Sequence, residues 1–495
     1  MRLSPKLFFS ILAAAVLARL LSMAFVPLMD TSEPRYAEIA RLMAVSGDWI
    51  TPWFEPGSPF WGKPPLSFWA QAASIKLFGV SEFAVRLPSF LALVAVGGLM
   101  YVAGARMLGI GAARWAILIF ATMLLPAVSA GAVLTDPFLV MGVTLSMVAF
   151  ILAQQHQSAV WRYGFFVGLA IGLLSKGPLS LLLVFGALIP WMLFHRNGRT
   201  QFAALPWGRG LALTLMLSLP WYLAAEWKTP GFLQYFIVGE HFLRFVDAGW
   251  TGDLYGTAHK RVLGSIWIDA VLAALPWSIY AVSGLIWLCF KPKACVHASK
   301  LLKTPIVSFL CLWALVAPVF FTLSGNILWT YVLPSLPPLA LLLGTLVDRH
   351  QSESISSKAI HRLFIASTMI LPAIALALGA YALFDTSRFK TEKHLVAAAH
   401  EQMEPGEALY FLGSRPFSAR YYTEGKARLV GRDELAPLLL TDEKRIFLAV
   451  PKSRAPEAFQ DSRWNTYPIF NSRRYSLYLL DARRHGGELR SDRSS

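Results

Sequence analysis

Long apolar runs recur through the chain of 495 residues and constrain its fold more than any other feature. A helix needs about 20 apolar residues to cross a hydrocarbon core of about 30 Å, since its backbone polar groups must be satisfied within the segment. The sequence therefore predicts a polytopic α-helical membrane protein with about eleven spans. The eleven runs lie near 7–28, 84–105, 113–133, 137–154, 163–174, 178–194, 210–225, 263–290, 304–323, 327–347 and 362–384.

Composition supports this class and argues against others. The chain is 56% hydrophobic and 15% charged, and its net charge of +16 comes from Lys and Arg scattered through short loops. Such scattering is typical of membrane topology and not of a nucleic-acid-binding face, so we expect no nucleic-acid partner. The cysteines, Cys289, Cys295 and Cys311, form no CxxC motif and predict neither a disulfide framework nor a cysteine-built metal site.

Loop charges predict the orientation. Loops rich in Lys and Arg and poor in acids mark the cytoplasmic side, and the loops between them, which are mixed in charge, face outward. The short runs 163–174 and 178–194 have basic residues at both outer ends, which favours a re-entering hairpin with SKG at its tip. No cleavage signature follows 7–28, so this run is predicted to be a retained span. The outward set is 29–83, 134–136, 175–177, 226–262 and 324–326, together with 385–495.

The chain changes character after residue 384. Residues 1–384 are predicted to form the membrane domain, and 385–495 a small α/β domain on the outer face. The tail RRHGGELRSDRSS is predicted to be disordered. The predicted strands are 407–413, 445–450 and 475–481, and the predicted helices are 388–403 and 433–440.

The stretch MDTSEPRYAEIAR, at 29–41, places acids and bases next to the first span. An apolar stripe with helical spacing predicts an interfacial helix over 33–45 with a charged, solvated face. Asp30 and Ser32, ahead of Pro34, are also ordinary helix-start residues, so catalytic and structural roles for the acids both stay open. The stripe is Tyr36, Ile39, Ala40 and Met43, and the charged residues off it are Arg35, Glu38 and Arg41.

Further ionisable residues are predicted on the same outward side. Lys176, in SKGPL, lies between two short apolar runs, and a charge at membrane depth is a functional candidate. Asp136, before Pro137, also suits a helix start, and His241 also suits a hydrogen-bonded interfacial position. Cations beside carboxylates fit transfer from a lipid-linked phosphate, since the cations stabilise the departing phosphate and a carboxylate accepts a proton. The set is Lys63 in GKPP, Asp136 in LTDPFL, Lys176, and Glu240, His241 and Arg244 in GEHFLRF.

The ordered series of motifs resembles the integral-membrane glycosyltransferases of the GT-C fold in the protein O-mannosyltransferase superfamily, most closely bacterial lipid A 4-amino-4-deoxy-L-arabinose transferases. The resemblance implies a multi-pass protein of the bacterial inner membrane, a periplasmic catalytic cavity, an undecaprenyl-phosphate-linked sugar donor, and inversion at the anomeric carbon. The motifs are EPRYAEIARLMAVSGDWITP, GKPPLSFW, FGVSEFAVRLPS, LTDPFL, LLSKGPL, LPWY, GEHFLRF and TYVLPSLPPLALLLG.

By position, the resemblance implies roles for individual residues. The family's first-loop Asp-Glu pair precedes x-Arg-Tyr, whereas here Ser32 and Glu33 hold those positions and the aspartate is displaced to Asp30. Lys63 matches the lysine expected to hold the donor phosphate. The predicted catalytic residues are Asp30, Glu33 and Asp136, and the predicted substrate-binding residues are Arg35, Lys63, Lys176, Arg244 and Tyr331.

Two departures from the family pattern bear on the cofactor and the substrate. His241 matches a histidine that resembles a divalent-metal ligand together with a glutamate before the phosphate-binding lysine, but Gly62 holds that position here. A metal site would then need Asp30 or Glu33 as a substitute. The family's Gly-Lys-Leu-Pro-Thr-Tyr is replaced by residues 326–331, Asn-Ile-Leu-Trp-Thr-Tyr, so one lysine near the lipid path is missing and the substrate can differ.

Three functions follow as hypotheses. The leading one is transfer of a sugar, best guessed as 4-amino-4-deoxy-L-arabinose, from undecaprenyl phosphate to lipid A or another envelope glycan. The second is transfer to a protein hydroxyl. The third is transport of lipid-linked sugars, which the crowding of ionisable residues at one face, without paired halves, disfavours. Membrane lipids are expected partners in each case.

Overall fold

The computed structural model describes residues 3–156, 158–247, 250–256, 260–352, 358–385, 388–438, 445–453 and 464–482. The chain divides into two compact units. The first unit comprises Met1–Val26 and Ile39–Ala380, and the second comprises Pro27–Glu38 and Tyr381–Ser495. The segment Pro27–Glu38, which the sequence assigned to the membrane domain, therefore groups with the C-terminal residues.

Helices account for nearly all of the regular structure before residue 385. Among the described residues of this stretch, most are α-helices, with one π-helix, Gln234–Leu243, and one 3₁₀-helix, Trp329–Ser335. The α-helices are Pro5–Phe25, Ser32–Ser46, Leu66–Phe78, Glu82–Met107, Ile110–Ala121, Leu124–Ser129, Asp136–His156, Ala159–Lys176, Leu179–Phe194, Arg196–Ala203, Trp207–Lys228, Arg244–Val246, Ile266–Ala273, Trp277–Cys289, Pro292–Leu302, Pro305–Phe321, Leu336–Ser352 and Lys358–Phe384.

Several helices are suited to a membrane by length and composition. Among the described residues, five pass this test, and a sixth span is formed if Ile266–Ala273 and Trp277–Cys289 are counted together. That pair is bent by 114°, so the single run predicted over 263–290 is broken at its centre. Every predicted run falls on a helix or a pair of helices, and how many of them cross the membrane stays a prediction. The five are Pro5–Phe25, Glu82–Met107, Asp136–Ala153, Trp329–Gln351 and Lys358–Phe384.

The central pair of helices packs closely because glycines line their contact. A Cβ at Gly142 would lie 2.6 Å from the backbone nitrogen of Gly172 and 2.8 Å from the carbonyl oxygen of Gly168. Small residues let two backbones approach within a membrane, where dispersion and not the hydrophobic effect holds helices together. The helices Asp136–His156 and Ala159–Lys176 therefore form a tight hairpin, whose first and last residues lie at the same end.

The helices Ala159–Lys176 and Leu179–Phe194 form a second hairpin, which turns at Gly177. This glycine has φ of 64°, a left-handed conformation that a side chain would strain, and a Cβ there would lie 2.7 Å from the ring of Phe236. The following helix, Leu179–Phe194, begins directly after Pro178. The SKG motif thus ends one helix and opens the next, and it places Lys176 at the tip of the hairpin, as the sequence predicted.

The second unit carries a mixed five-stranded sheet. With β1 and β2 as the short hairpin Trp53–Glu55 and Ser58–Pro59 of the first unit, its strand order is β4-β3-β5-β7-β6. β3 runs parallel to β4 and β5, whereas β7 runs antiparallel to β5 and β6. Its elements are β3 Leu409–Leu412, β4 Arg428–Val430, β5 Arg445–Pro451, β6 Trp464–Asn471 and β7 Tyr475–Ala482, with helices Lys393–His400, Phe417–Tyr422 and Arg432–Leu438.

The predicted small α/β domain is thus confirmed in class. β4 and β6 were not predicted, because three residues are too few for a pattern and Pro468 interrupts β6. The helix predicted over 388–403 extends only over Lys393–His400. The predicted disorder of the tail concerns 483–495, which lies outside the described residues.

The helix Ser32–Ser46 corrects one expectation about the stretch MDTSEPRYAEIAR. Ile39, Ala40 and Met43 of its apolar stripe are buried and Tyr36 is half-buried, but Glu38 and Arg41 are also only 2% and 6% exposed. The prediction of a solvated charged face was therefore wrong at these two positions. The spacing of apolar residues identifies the most apolar face of a helix, and it does not reveal whether protein also covers the opposite face.

Candidate active site

A cavity of about 300 Å³ in the first unit gathers five predicted site residues, namely Lys63, Lys176, His241, Arg244 and Tyr331. They come from four parts of the chain: the GKPP segment, the tip of the helical hairpin, the π-helix with the residue after it, and the 3₁₀-helix. The other lining residues include Glu240, Ser324 and Asn326 and an apolar wall of Phe236, Phe242, Phe245, Phe320 and Phe321.

The π-helix Gln234–Leu243 presents Glu240 and His241 to this cavity. Its start is held by the carboxylate of Glu226, which accepts hydrogen bonds from the backbone nitrogens of Gly231 at 3.0 Å and Leu233 at 2.7 Å. π-Helical turns are rare and occur often at functional sites, since the wider turn re-aims side chains. The local structure therefore turns a carboxylate and an imidazole toward one space.

Glu240 holds two cations. The Nζ of Lys63 donates to its Oε2 at 3.0 Å, and the Nη1 of Arg244 donates to Oε1 at 3.0 Å and to Oε2 at 3.1 Å. The Glu240 side chain is only 6% exposed, whereas the Lys63 side chain is 21% exposed. Charge-assisted bonds of this geometry fix side chains that would otherwise be flexible. The cluster thus holds an ammonium and a guanidinium side by side at the cavity wall.

Neighbouring groups keep this cluster charged. Burial raises the pKa of Glu240 most, but the attraction of Lys63 and Arg244 outweighs it and leaves the pKa below its ordinary value. Burial lowers the pKa of Arg244, and the nearby Glu240, with smaller contributions from Tyr331 and Asp253, raises it overall. Asp253 lies 3.5 Å from the guanidinium. Within the described part of the chain, the buried Nε of Arg244 has no hydrogen-bond partner, so one donor remains.

Lys176 and Asp136 form a second ion pair, in which both side chains are buried. The Nζ of Lys176 donates to Oδ1 of Asp136 at 2.7 Å, and both side chains are less than a tenth exposed. The same ammonium lies 4.9 Å from the centre of the Tyr331 ring, a cation–π distance. The hairpin geometry brings the start of one helix and the end of the next together, so the predicted Asp136 and Lys176 meet.

His241 does not fit a metal centre as arranged. Its Nδ1 lies 2.7 Å from the carbonyl oxygen of Phe236 and its Nε2 lies 2.9 Å from the carbonyl oxygen of Lys176, so both ring nitrogens face acceptors. Burial is the largest influence on its pKa and lowers it. Among the described residues, no group of three or more His, Cys, Asp or Glu side chains is placed to hold an ion.

Gly62, next to the cavity-lining Lys63, also argues against a metal site. A Cβ at this position would lie 2.9 Å from the Phe60 ring, so a glutamate there would require the ring to move. A carboxylate that binds Lys63 comes instead from Glu240, and both of its oxygens are already bound by cations. The residues present therefore do not supply the metal site that the family pattern implied.

Asp30 is held within the second unit. Its Oδ1 accepts from the backbone nitrogen of Ser418 at 2.8 Å, and its Oδ2 accepts from the Ser418 hydroxyl at 2.7 Å and from Nη2 of Arg474 at 2.5 Å. Arg474 also pairs with Glu392 at 2.9 Å. The Asp30 side chain is 1% exposed, and these contacts favour a structural role. Its role as a base stays a prediction that the geometry does not support.

Glu33 and Arg35 also lie in the second unit. The Oε2 of Glu33 accepts from the backbone nitrogen of Met29 at 3.2 Å, and the guanidinium of Arg35 lies 5.6 Å from the centre of the Phe417 ring. All cavity-lining residues belong to the first unit. The two groups of predicted residues therefore belong to separate units, and the catalytic role of Glu33 and the substrate-binding role of Arg35 stay predictions.

Glu240 belongs to the set of ionisable residues that the sequence placed on the outward side, but the sequence assigned it neither a catalytic nor a binding role. The spacing of Glu240 and Arg244, four positions apart, is a recognisable pairing signal on a helix. Its contact with Lys63, 177 positions away, had no signal in the sequence. Asp253 and Tyr235, whose hydroxyl lies 3.5 Å from Oε1 of Glu240, complete the surroundings of the cluster.

Known proteins resemble this chain over part of its length. Residues 8–236 match the family described as dolichyl-phosphate-mannose-protein mannosyltransferase. The chain is 32% identical over 334 residues to the undecaprenyl phosphate-alpha-4-amino-4-deoxy-L-arabinose arabinosyl transferase of Edwardsiella ictaluri, covering 66% of this chain and 57% of the relative. It is 31% identical over 356 residues to transferase 2 of that name from Pseudomonas fluorescens, covering 69% and 60%. The chain thus spans less than two thirds of the length of these relatives.

Solved structures match over a larger share. ArnT from Cupriavidus metallidurans, in a crystal structure bound to undecaprenyl phosphate, superimposes with a TM-score of 0.75 at 18% identity, covering 96% of this chain and 98% of that one. The archaeal oligosaccharyltransferase AglB from Archaeoglobus fulgidus gives a TM-score of 0.51 at 12% identity, covering 91% and 70%. At these identities the similarity establishes the fold.

Proposed function

We propose that this chain, a multi-pass membrane protein with the GT-C fold and a domain of the protein O-mannosyltransferase family, transfers a sugar from undecaprenyl phosphate to lipid A or another envelope glycan. The best candidate for the sugar is 4-amino-4-deoxy-L-arabinose, which the names of the relatives specify. The observation that carries the proposal is the junction of Lys63 and Arg244 at the wall of one cavity.

The cations would bind the donor phosphate. Arg offers several N–H donors in a planar fork and Lys a compact charge, and together they suit a tetrahedral phosphate. Tyr331 lines the same cavity and can donate its hydroxyl, while the apolar wall accommodates the first isoprenoid carbons. Because Glu240 and the buried surroundings fix Lys63 and Arg244 before the substrate arrives, little reorganisation is needed at the moment of reaction.

The transfer breaks one bond and forms one. An acceptor oxygen attacks the anomeric carbon, the bond from that carbon to the phosphate oxygen breaks, and its electron pair leaves with undecaprenyl phosphate. Lys63 and Arg244 stabilise that departing charge. Attack from the opposite side inverts the anomeric centre. A phosphate acceptor arrives ionised, whereas a hydroxyl acceptor must give its proton to a carboxylate. Among the predicted catalytic residues the candidate is Asp136, which binds the cavity-lining Lys176.

The proposed location is the bacterial inner membrane, with the cavity and the second unit on the periplasmic side. The charges of the loops support this orientation, since Lys and Arg are concentrated in the set that would face the cytoplasm. A reporter fused after Asp385 should be active when it requires the periplasm. A fusion active only in the cytoplasm would overturn the orientation and the shared outward face.

The decisive experiment compares lipid A and envelope glycans by mass spectrometry in cells with the gene, without it, and with the Lys63→Ala variant. We expect one added sugar on lipid A phosphate only with the active gene. The same sugar on protein hydroxyls would favour the second hypothesis. Purified protein that moves the lipid-linked sugar between leaflets and releases no undecaprenyl phosphate would identify a transporter and refute the proposal.

A further inference from the structure

We infer that Glu240 makes the phosphate site discriminate by charge, so that it accepts the phosphodiester of the donor and weakens binding of the phosphomonoester product. This inference rests on the proposed function, because it takes Lys63 and Arg244 as the cations that receive the phosphate. Glu240 then acts as a specificity-determining residue beside the reaction, and it takes no part in bond making.

The Glu240 carboxylate lies directly beside the proposed phosphate site. Both cations lie within 3.1 Å of the Glu240 carboxylate, and the same carboxylate lines the cavity. A phosphate that accepts hydrogen bonds from these two cations must therefore lie beside it, about 4–6 Å away if ordinary hydrogen-bond lengths hold. The Glu240 side chain is almost fully covered and fixed by three short contacts, so it cannot turn away without breaking them.

The acids and cations around Glu240 balance each other. Asp253 faces the guanidinium of Arg244 at 3.5 Å, so two acids oppose two cations among the described residues of the cluster. The neighbouring Lys176 is already neutralised by Asp136 at 2.7 Å. The cluster is therefore balanced before a ligand arrives. An incoming phosphate is attracted by Lys63 and Arg244 and repelled by Glu240, and each additional negative charge on the phosphate increases that repulsion.

The chemistry of the reaction supplies the difference in charge. A polyprenyl phosphodiester has one acidic proton and carries a single negative charge, whereas a phosphomonoester carries about −1.5 to −2 near pH 7. Release of the leaving phosphate is required in every turnover, and two unopposed cations would hold a dianion far more tightly than the monoanionic donor. The Glu240 carboxylate offsets that preference and promotes exchange of product for donor.

The test measures binding of two soluble probes to the full-length protein in detergent: farnesyl phosphate, a monoester, and its methyl diester. In the nearly isosteric Glu240→Gln variant, the Kd of the monoester should fall by up to about tenfold more than that of the diester, since at 4–6 Å and intermediate dielectric each unit of phosphate charge contributes this order of effect. Inhibition of turnover by farnesyl phosphate should increase in parallel.

Two further variants test the effect of charge at Glu240 and Asp253. Glu240→Asp keeps the charge and should keep the ratio of the two Kd values near that of the wild type. Asp253→Asn removes a charge from the outer side of Arg244 and should move the ratio in the same direction as Glu240→Gln, by less. This variant decides the question if Glu240→Gln does not fold, and an unchanged ratio in it then overturns the inference.

The outcomes separate this inference from the proposed function. A wild-type protein that binds neither probe refutes both. If the wild-type protein binds both probes and Glu240→Gln changes the two Kd values by the same factor, the charge discrimination alone is refuted. The same holds if Glu240→Gln loses binding of both probes equally. A larger gain for the monoester than for the diester supports it.

Discussion

The Nζ of Lys63 lies 3.0 Å from the Oε2 of Glu240, although the two residues are 177 positions apart. The contact joins the GKPP segment before the helix Leu66–Phe78 to the π-helix Gln234–Leu243. Arg244 binds the same carboxylate from the following turn. A single buried acid thus brings together two cations from distant parts of the chain, and this cluster is the basis of the predicted phosphate site.

Replacement of Lys63 by alanine should reduce turnover by roughly 30- to 150-fold, since a charge-assisted contact to phosphate contributes about 2–3 kcal/mol. The protein should still fold, because Glu240 keeps its bond to Arg244. Lys228→Ala is the matched control: Lys228 also pairs with an acid, Asp48 at 2.6 Å, but does not line the cavity. Full activity in Lys63→Ala would remove Lys63 from the site.

The ion pair of Asp136 and Lys176 should behave as a buried unit. Asp136→Asn leaves the ammonium without its counter-charge and should lower the free energy of unfolding by about 3–5 kcal/mol. The double variant Asp136→Asn/Lys176→Met removes both charges and should recover much of that loss, as measured by thermal unfolding in detergent. If the pair also serves the reaction, activity stays low in the double variant. Restored stability together with restored activity would show that the pair is only structural.

The contacts of Asp30 with Arg474 and Ser418 predict a structural role for this residue. Asp30→Asn weakens the bonds to Arg474 and Ser418 and should cost about 1.5–3 kcal/mol of stability, because charged hydrogen bonds contribute that much. Arg474→Met should have a similar effect, and Glu33→Gln a smaller one. A loss of about 10²–10⁴ in rate at unchanged stability in Asp30→Asn would instead identify a general base. Turnover and thermal unfolding of the same samples distinguish these results.

Removal of divalent metals should leave activity unchanged. Both nitrogens of His241 face carbonyl oxygens, and Gly62 holds the position where the family pattern has a ligand. Dialysis of the purified protein against a chelator, followed by the transferase assay, checks this expectation. Activity that falls on chelation and returns with one divalent ion would show that the cavity rearranges to bind metal.

The sequence by itself determined the class of fold and the set of candidate groups. Runs of about 20 apolar residues predict membrane helices because backbone polar groups in hydrocarbon must be satisfied within the segment. The same local reasoning located β3, β5 and β7, which are short apolar runs between helix-like stretches. It also selected Lys63, Lys176, His241, Arg244 and Tyr331, all of which line the cavity.

The tertiary structure alone decided how these groups are paired. Lys63 meets Glu240, Asp136 meets Lys176 and Asp30 meets Arg474, and each contact joins segments that local spacing does not relate. The buried state of Glu38 and the break before Trp277 were likewise not predicted. Local patterns record which residues share a face of one helix, whereas the pairing of distant charges depends on how closely helices pack, as the glycines Gly142 and Gly172 permit.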